Sequence, residues 1–235
     1  MIKGIFLAAR NLQSGEKHIG VVANNLANLN TIGYKREVPF SMVLDAEGNL
    51  SAKQINDPKQ GEMVLTGNPL DLGINGDGFF VVETKFGEQI TRDGKLKVSD
   101  EGYLVNQVGD KIMGKDGEIH FGANVFNADQ SIVVSKTGEI KVGDTILDEL
   151  RIIKVEKPEE LNKIGGSYFS TDGVDIEELE NGEYEITQGY LETSNVNIME
   201  EMESMIRSNN DYQSTQKIIR YLDDSLEKAN SIGKV

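Results

Sequence analysis

Apolar positions near the N-terminus recur without a slip. Ile5, Ala8, Leu12, Gly15, Ile19, Val22, Leu26 and Leu29 are separated by 3, 4, 3, 4, 3, 4 and 3 residues. That spacing is the seam of a coiled coil, so it predicts an N-terminal helix over residues 1–33. The helix should stop between Asn28 and Gly33, where residues that favour turns and left-handed caps accumulate. At 1.5 Å per residue it would be about 40 Å long, and one such amphipathic helix needs a partner in water. Ala8 and Gly15 are small enough to let that partner approach closely. A second stripe closes the chain with Ile198, Met202, Met205, Tyr212, Ile219 and Leu226, drifting to Leu222 and Ala229. Asn209, Gln216 and Asp223 interrupt its alternate positions, where polar residues lower stability and fix register. Asn197 is placed to cap this helix, with Glu200 three residues on as in a capping box. Glu200, Glu201 and Glu203 suit the positive end of the helix dipole, and Lys228 and Lys234 the negative end.

Between the two helical ends the pattern changes to period two with glycine punctuation. Leu70 to Glu83 reads as strand, Asn75-Gly76-Asp77-Gly78 turn, strand, and therefore as a hairpin. Turn signals then recur at Asp93-Gly94, Asp100-Glu101-Gly102, Val108-Gly109-Asp110, Asp116-Gly117, Thr137-Gly138 and Val142-Gly143-Asp144. Between them lie β-prone runs such as Tyr103-Leu104-Val105, Ser131 to Val134 and Leu150 to Val155. Residues 34–69, with Pro39 and Pro58, read as an extended connector with short strands. The expected organisation is α+β: helix 1–33, connector 34–69, an all-β hairpin-rich domain 70–188, and a C-terminal segment and helix 189–235. The two terminal helices are expected to pair as a coiled-coil-like unit.

Charge sharpens this division. The formal net charge is −15, yet residues 1–36 carry five basic and one acidic side chain, and residues 196–235 five and seven. Nearly all the negative charge therefore belongs to the middle, which argues against a nucleic-acid-binding surface. The chain has no cysteine, which excludes disulfides and thiolate metal sites. No apolar run approaches the roughly 20 residues of a membrane span, and Arg10, Gln13 and Glu16 interrupt the N-terminal apolar stretch, so no cleaved signal peptide is expected.

Candidate chemistry is sparse. His18 and His120 are the only histidines and are far apart in sequence. No nucleophile–histidine arrangement has a defensible spacing. The Asn75–Gly78 turn lacks the alternating oxygen ligands of a calcium loop. Carboxylate pairs such as Asp71 with Asp77 or Asp172 with Asp175 are expected by chance among 39 acidic residues. No catalytic residue, metal site or cofactor is expected.

Two polar stretches stand out against this background. The first holds Asn24, Asn25, Leu26, Asn28, Asn30, Thr31, Gly33, Tyr34 and Lys35. The second holds Gly189, Leu191, Glu192, Ser194, Asn195, Val196 and Asn197. The asparagines of the first read either as a frayed helix end or as amides that pair between neighbouring subunits. Together with Leu70–Val82 and Thr91-Arg92-Asp93-Gly94, these stretches resemble the flagellar axial proteins, the basal-body rod and hook family. The resemblance covers both termini and part of the middle. It implies a structural subunit that assembles helically through its terminal helices, the seams named above, into a torque-transmitting shaft. It also implies neighbouring axial proteins and further copies of itself as partners, and export by the flagellar type III apparatus. The short connector points to a proximal-rod member, with a distal-rod member as the alternative. A remote alternative is an extracellular β adhesin with helical oligomerisation arms.

Overall fold

A computed structural model describes residues 2–44, 50–122, 131–180 and 182–232. Lys234 lies outside the described residues. The chain forms two compact units, one of residues 1–27, 37–54 and 196–235, the other of residues 28–36 and 55–195.

The first unit is built on helix α1 (Ile2–Ala27) and helix α2 (Ile198–Ile232). The helices are antiparallel: Gly4 faces Leu222, Gly15 faces Tyr212, His18 meets Ser204 and Asn25 meets Glu201. Asn197 caps α2 as its spacing predicts, its side-chain oxygen accepting from the Met199 and Glu200 amides at 3.0 and 3.5 Å. Strand β1 (Glu37–Leu44) packs on α1 and pairs with β2 (Leu50–Asn56). Beside the half-buried seam positions Leu12, Ile19, Met205 and Ile219, the middle of the helix pair opens into a groove. Asn11, Ser14, Gly15 and His18 of α1, with Ser204, Ser208, Tyr212 and Thr215 of α2, line this groove of about 710 Å³. Small and hydroxylated side chains cannot fill the space between two helices as leucines would.

The second unit is all β. It contains β3 (Met63–Leu65), β4 (Leu72–Asn75), β5 (Gly78–Thr84), β6 (Gly87–Thr91), β7 (Leu96–Val98), β8 (Leu104–Asn106), β9 (Lys111–Gly114) and β10 (Gly117–Glu118). After these come β11 (Ile132–Val134), β12 (Glu139–Val142), β13 (Thr145–Glu149), β14 (Ile152–Val155), β15 (Lys163–Gly165), β16 (Tyr168–Ser170), β17 (Ile176–Glu178), β18 (Glu185–Gln188) and β19 (Tyr190–Glu192). The largest sheet runs β15-β16-β6-β5-β9-β8-β7. In it β14 lies beside the first residues of β5, with β17 outside β14. Strand β5 is its centre. Phe80 and Val82 point into one apolar cluster with Leu72, Leu96, Leu104 and Ile112; Phe79 and Val81 point into another with Ile90, Ile153 and Phe169. A strand covered on both faces reads as an unbroken apolar run, as Phe79 to Val82 does.

The expected hairpin over Leu70–Glu83 does not form. Both strands exist, but β4 pairs with β18 over Leu72–Asn75, and β5 pairs with β6, β9 and β14. Gly76, at φ +116°, turns the chain out of the β4 ladder. The Arg92 guanidinium then donates to the carbonyls of Gly76 and Ile74 at 2.6 and 3.4 Å, holding the turn in this direction. The local alternation was sufficient to place the strands and insufficient to choose their partners.

One buried phenol makes this unit sensitive to alkali. Burial pushes the Tyr184 hydroxyl up to about 12, helped by Glu149 and Glu178, and it donates to the Thr137 carbonyl at 2.9 Å. A phenol whose folded pKa exceeds its unfolded value of about 10 keeps its proton longer when folded, so its stabilisation is lost as pH rises from 10 towards 12. The Tyr168 hydroxyl is raised as well, by burial and by Asp110, and steepens the same decline. Denaturant midpoints measured across that window should fall with pH. The fall should be shallower in Tyr184→Phe; an unchanged slope would show that this phenol titrates normally.

Candidate functional site

The two polar signature stretches meet in a buried clasp inside the β-rich unit. Asn28–Arg36 leaves α1 through a turn in which the Thr31 amide bonds the Asn28 carbonyl at 3.1 Å and its hydroxyl bonds the Asn28 side chain at 3.1 Å. Gly33 follows at φ +66°, a conformation that glycine adopts without cost. Its amide donates to the Glu192 carbonyl at 2.8 Å, so the first signature is laced to the second by backbone. Asn195 completes the lacing. Its side-chain oxygen accepts from the Arg36 amide at 2.6 Å, and its NH₂ donates to the carbonyls of Asp57 and Lys59 at 3.1 and 2.9 Å.

Charge lies at the centre of the clasp. One Glu192 oxygen accepts from the Lys35 ammonium at 2.7 Å and from the Gly61 amide at 2.9 Å. The other accepts from the Arg92 guanidinium at 3.2 Å. The three side chains are 1–3% exposed, so one carboxylate stands between two cations away from water. The remaining Lys35 proton donors reach the Lys59 carbonyl at 2.8 Å, and Arg92 also lies 4.9 Å over the Phe79 ring. Burial lowers the Lys35 pKa from its ordinary value and Glu192 opposes that; burial likewise lowers Arg92 against the pull of Glu192. Lys163 donates to the Lys35 carbonyl at 2.9 Å and sits 3.2 Å over the Tyr34 ring, closing the clasp from outside. Arg92 Nε is the exception, buried with no hydrogen-bond partner among the described residues; the charges that are paired fix one arrangement of the segments that carry them.

The clasp has no room for side chains at its glycines. A β-carbon on Gly33 would lie 2.4 Å from the Arg92 carbonyl carbon, and one on Gly61 1.9 Å from the Thr193 oxygen. Gly33→Ala should therefore cost about 2–4 kcal/mol, combining positive-φ strain with overpacking. Gly87→Ala, at φ +99° with nothing within 4 Å, should cost only about 1 kcal/mol. Equal losses in thermal unfolding would contradict the crowding.

Asn24, Asn25 and Asn28 of the first stretch make hydrogen bonds inside the chain. Asn25 is fully buried in the helical unit. Its NH₂ donates to the Glu37 carbonyl and the Glu201 carboxylate at 2.8 and 3.2 Å, and its oxygen accepts from the Glu37 amide at 2.9 Å. Asn24 donates to the Glu37 carboxylate at 3.2 Å. Asn30 is exposed. Neither a frayed end nor pairing between subunits describes Asn25, which ties α1 to α2 and to β1 at once.

The seam positions fall unevenly. On α1, Ala8 and Val22 are buried, and Ile5, Leu12, Gly15, Ile19 and Leu26 are half-buried; Leu29 lies beyond the helix, half-buried in the β-rich unit. On α2, Met205, Tyr212, Ile219 and Leu226 are half-buried, but Ile198 and Met202 are 42% and 50% exposed. Glu201 is the buried residue of that first turn, because the Asn25 amide requires an acceptor there. Of the second stretch, Gly189 takes φ +81°, Leu191, Glu192 and Val196 are buried, and Ser194 is half-buried. Sequence reasoning missed Arg92 and Glu201 as members of these networks. Arg92 stood in the quoted Thr91–Gly94 run, but nothing local ties it to a carboxylate 100 residues away.

The histidines serve structure. His18 Nε2 lies 2.9 Å from the Ser204 hydroxyl across the helix pair. His120 accepts from the Gly122 amide at Nδ1, so Nε2 carries the proton donated to the Glu101 carbonyl at 3.0 Å. Among the described residues no group of three acidic or histidine side chains is placed to hold a metal ion, and no helix is long and apolar enough to cross a membrane.

Three family models match along the chain: a flagella basal body rod protein model over residues 16–35, a flagellar hook protein FlgE/F/G D1 domain over 73–142, and a flagellar basal body rod FlgEFG protein C-terminal model over 187–232. The curated protein described as flagellar basal-body rod protein FlgG of Buchnera aphidicola subsp. Baizongia pistaciae is 31% identical, with 97% of this chain and 98% of the relative covered. The FlgF proteins of Rhizobium meliloti and Caulobacter vibrioides are 26% and 28% identical, covering 97% of each chain in the first case and 100% in the second. With its two signature stretches laced together and its relatives matched from end to end, the chain belongs to the flagellar basal-body rod protein family.

Proposed function

We propose that this structural subunit of the flagellar basal-body rod is a proximal-rod component of the FlgF type, assembling helically through α1 and α2 into a shaft that transmits torque. Membership of a rod family makes it a structural protein and not an enzyme. The observation that carries assembly through the helices is their surface. Phe6 and Leu7 on α1, with Met199, Ile206, Ile218 and Tyr221 on α2, are all exposed although the two helices already pack on each other. Large apolar side chains grouped on one helical unit mark a contact surface. Under this reading the subunits join head to tail in a non-closing lattice, the neighbours are other axial proteins and further copies, and the chain arrives through the flagellar type III apparatus.

The FlgF assignment is supported by length. Alignments to three FlgF relatives span 241–253 residues, whereas those to four FlgG relatives span 262–269 for a chain of 235. The FlgG alignments therefore require more inserted positions. The distal reading retains the support of the 31% identity to a FlgG protein. Deletion of the gene, followed by mass spectrometry and antibody labelling of purified basal bodies, separates the two. A rod stalled below its distal segment is the expected result; labelling along the longer distal segment would transfer the chain to the FlgG type.

A further inference from the structure

The β-rich unit carries two exposed patches of complementary chemistry on different strands of one sheet. The first is a pair of hairpin tips. Phe86, in the β5–β6 turn, is 89% exposed, and Val108, in the β8–β9 turn, is 79% exposed. They are neighbours, because Glu83 of β5 pairs with Lys111 of β9 and each tip begins three residues beyond that pair. Gly87 and Gly109 have nothing within 4 Å of a β-carbon position, so both turns project into open space.

The Val108 turn is held rigidly. The Asn106 side-chain oxygen accepts from the amides of Val108, Gly109 and Asp110 at 2.9–3.0 Å. Tyr168 donates to Asp110 at 2.9 Å and accepts from Asn106 at 2.5 Å. A turn ordered in advance loses little entropy on binding. Lys85 and Lys97 flank the tips, and among the described residues neither makes an ion pair; Lys97 reaches only the Gln107 carbonyl, at 3.3 Å.

The second patch is strand β17. It pairs with β14 on one side, and among the described residues nothing pairs with its other edge. Ile176 is 44% exposed there, and Asp175, Glu177, Glu178 and Glu180 are exposed around it. Arg151 lies 3.6 Å from Glu178, while Asp175, Glu177 and Glu180 make no ion pair among the described residues. Through β14, β17 lies level with Phe79 at the start of β5, whereas the tips lie beyond its end. The seven residues of β5 span about 20 Å. Arg151 links the two regions within the chain, 3.1 Å from Glu88 beside the β5–β6 turn and 3.6 Å from Glu178 of β17, yet Phe86 and Ile176 both remain exposed.

We propose that the Phe86–Val108 tips of one copy dock on the β17 edge of a second copy, giving the β-rich unit its own head-to-tail contact within the rod. This rests on the rod-subunit reading. An apolar pair meets Ile176, two lysines meet three carboxylates, and two different patches on one molecule are what a heterologous, propagating contact requires.

The absence of native cysteine makes the test clean. Basal bodies from cells expressing full-length Phe86→Cys plus Ile176→Cys should give, on oxidation, disulfide-linked multimers of this chain that neither single variant gives. Lys85→Glu with Lys97→Glu should cut that yield about tenfold, and adding Asp175→Lys with Glu177→Lys should restore it. The melting temperature of each purified variant controls for folding. Equal dimers from Phe86→Cys alone, or a product containing a different axial protein, would overturn the self-contact. The chain present in basal bodies without any 86–176 product would overturn this inference and leave the rod reading standing. Its absence from basal bodies would remove both.

Discussion

Glu192→Gln is expected to lower the unfolding free energy of the β-rich unit by about 3–5 kcal/mol, a shift of about 10 °C in melting temperature for a chain of this size. Glu192 is the one carboxylate between the Lys35 and Arg92 cations, at 2.7 and 3.2 Å, and all three side chains are buried. The glutamine oxygen can still accept from Lys35 or from the Gly61 amide. Its NH₂ would then face the Arg92 guanidinium, donor against donor, with two cations left uncompensated. The pH dependence identifies the cause. Burial already lowers the Lys35 pKa and Glu192 opposes it, so removing the carboxylate lowers it further. A lysine whose folded pKa lies below its unfolded value binds fewer protons when folded, so stability rises with pH between the two values. The Glu192→Gln deficit should accordingly shrink as pH rises towards 10, and Glu192→Gln with Lys35→Met should recover part of it at neutral pH. A pH-independent deficit would mean that lost packing, and not uncompensated charge, is responsible.

Val22→Asp should have a comparable effect on the helical unit and a larger effect on motility. Val22 is fully buried on α1, and Asn25, three residues on and on the same helix face, already contacts the buried Glu201 carboxylate. A second carboxylate there would be buried without a cation and beside a like charge, a cost of at least 3 kcal/mol. The same change at Leu26 or Ile219, which are only half-buried, should cost less. Amide exchange should speed up throughout α1 and α2, while the Phe79–Val82 strand keeps its protection. Swimming should be lost if the helices carry assembly. Retained motility with the helices demonstrably opened would contradict assembly through them.

These two sites show where local pattern was enough. The unbroken 3–4 spacing from Ile5 to Leu26 placed α1, because a 3.6-residue period is written in consecutive positions. Asn197 with Glu200 marked the start of α2 for the same reason. Phe79 to Val82 was legible as a β run; that it is covered on both faces came from the structure. The glycine signals at 102, 109, 138 and 143 fall at turns and that at 117 directly after one, where positive φ is a property of one residue and can be read from one residue.

What the pattern could not give was pairing. Leu72–Asn75 lies three residues from β5 in sequence yet bonds to Glu185–Gln188, and Met63–Leu65 bonds to Tyr190–Glu192. A ladder partner is chosen by the whole set of competing edges, and alternation alone is the same for each. Glu201 likewise looked like a dipole residue, and only the approach of Asn25 shows why a carboxylate belongs in the helix interface. The sequence by itself determined the two helical ends, the β-rich middle and the two stretches that carry the family resemblance, all of which depend on near neighbours. The tertiary structure alone decided that those stretches close on each other through Lys35, Glu192 and Arg92, because buried charge can be tolerated only where residues distant in sequence arrive together.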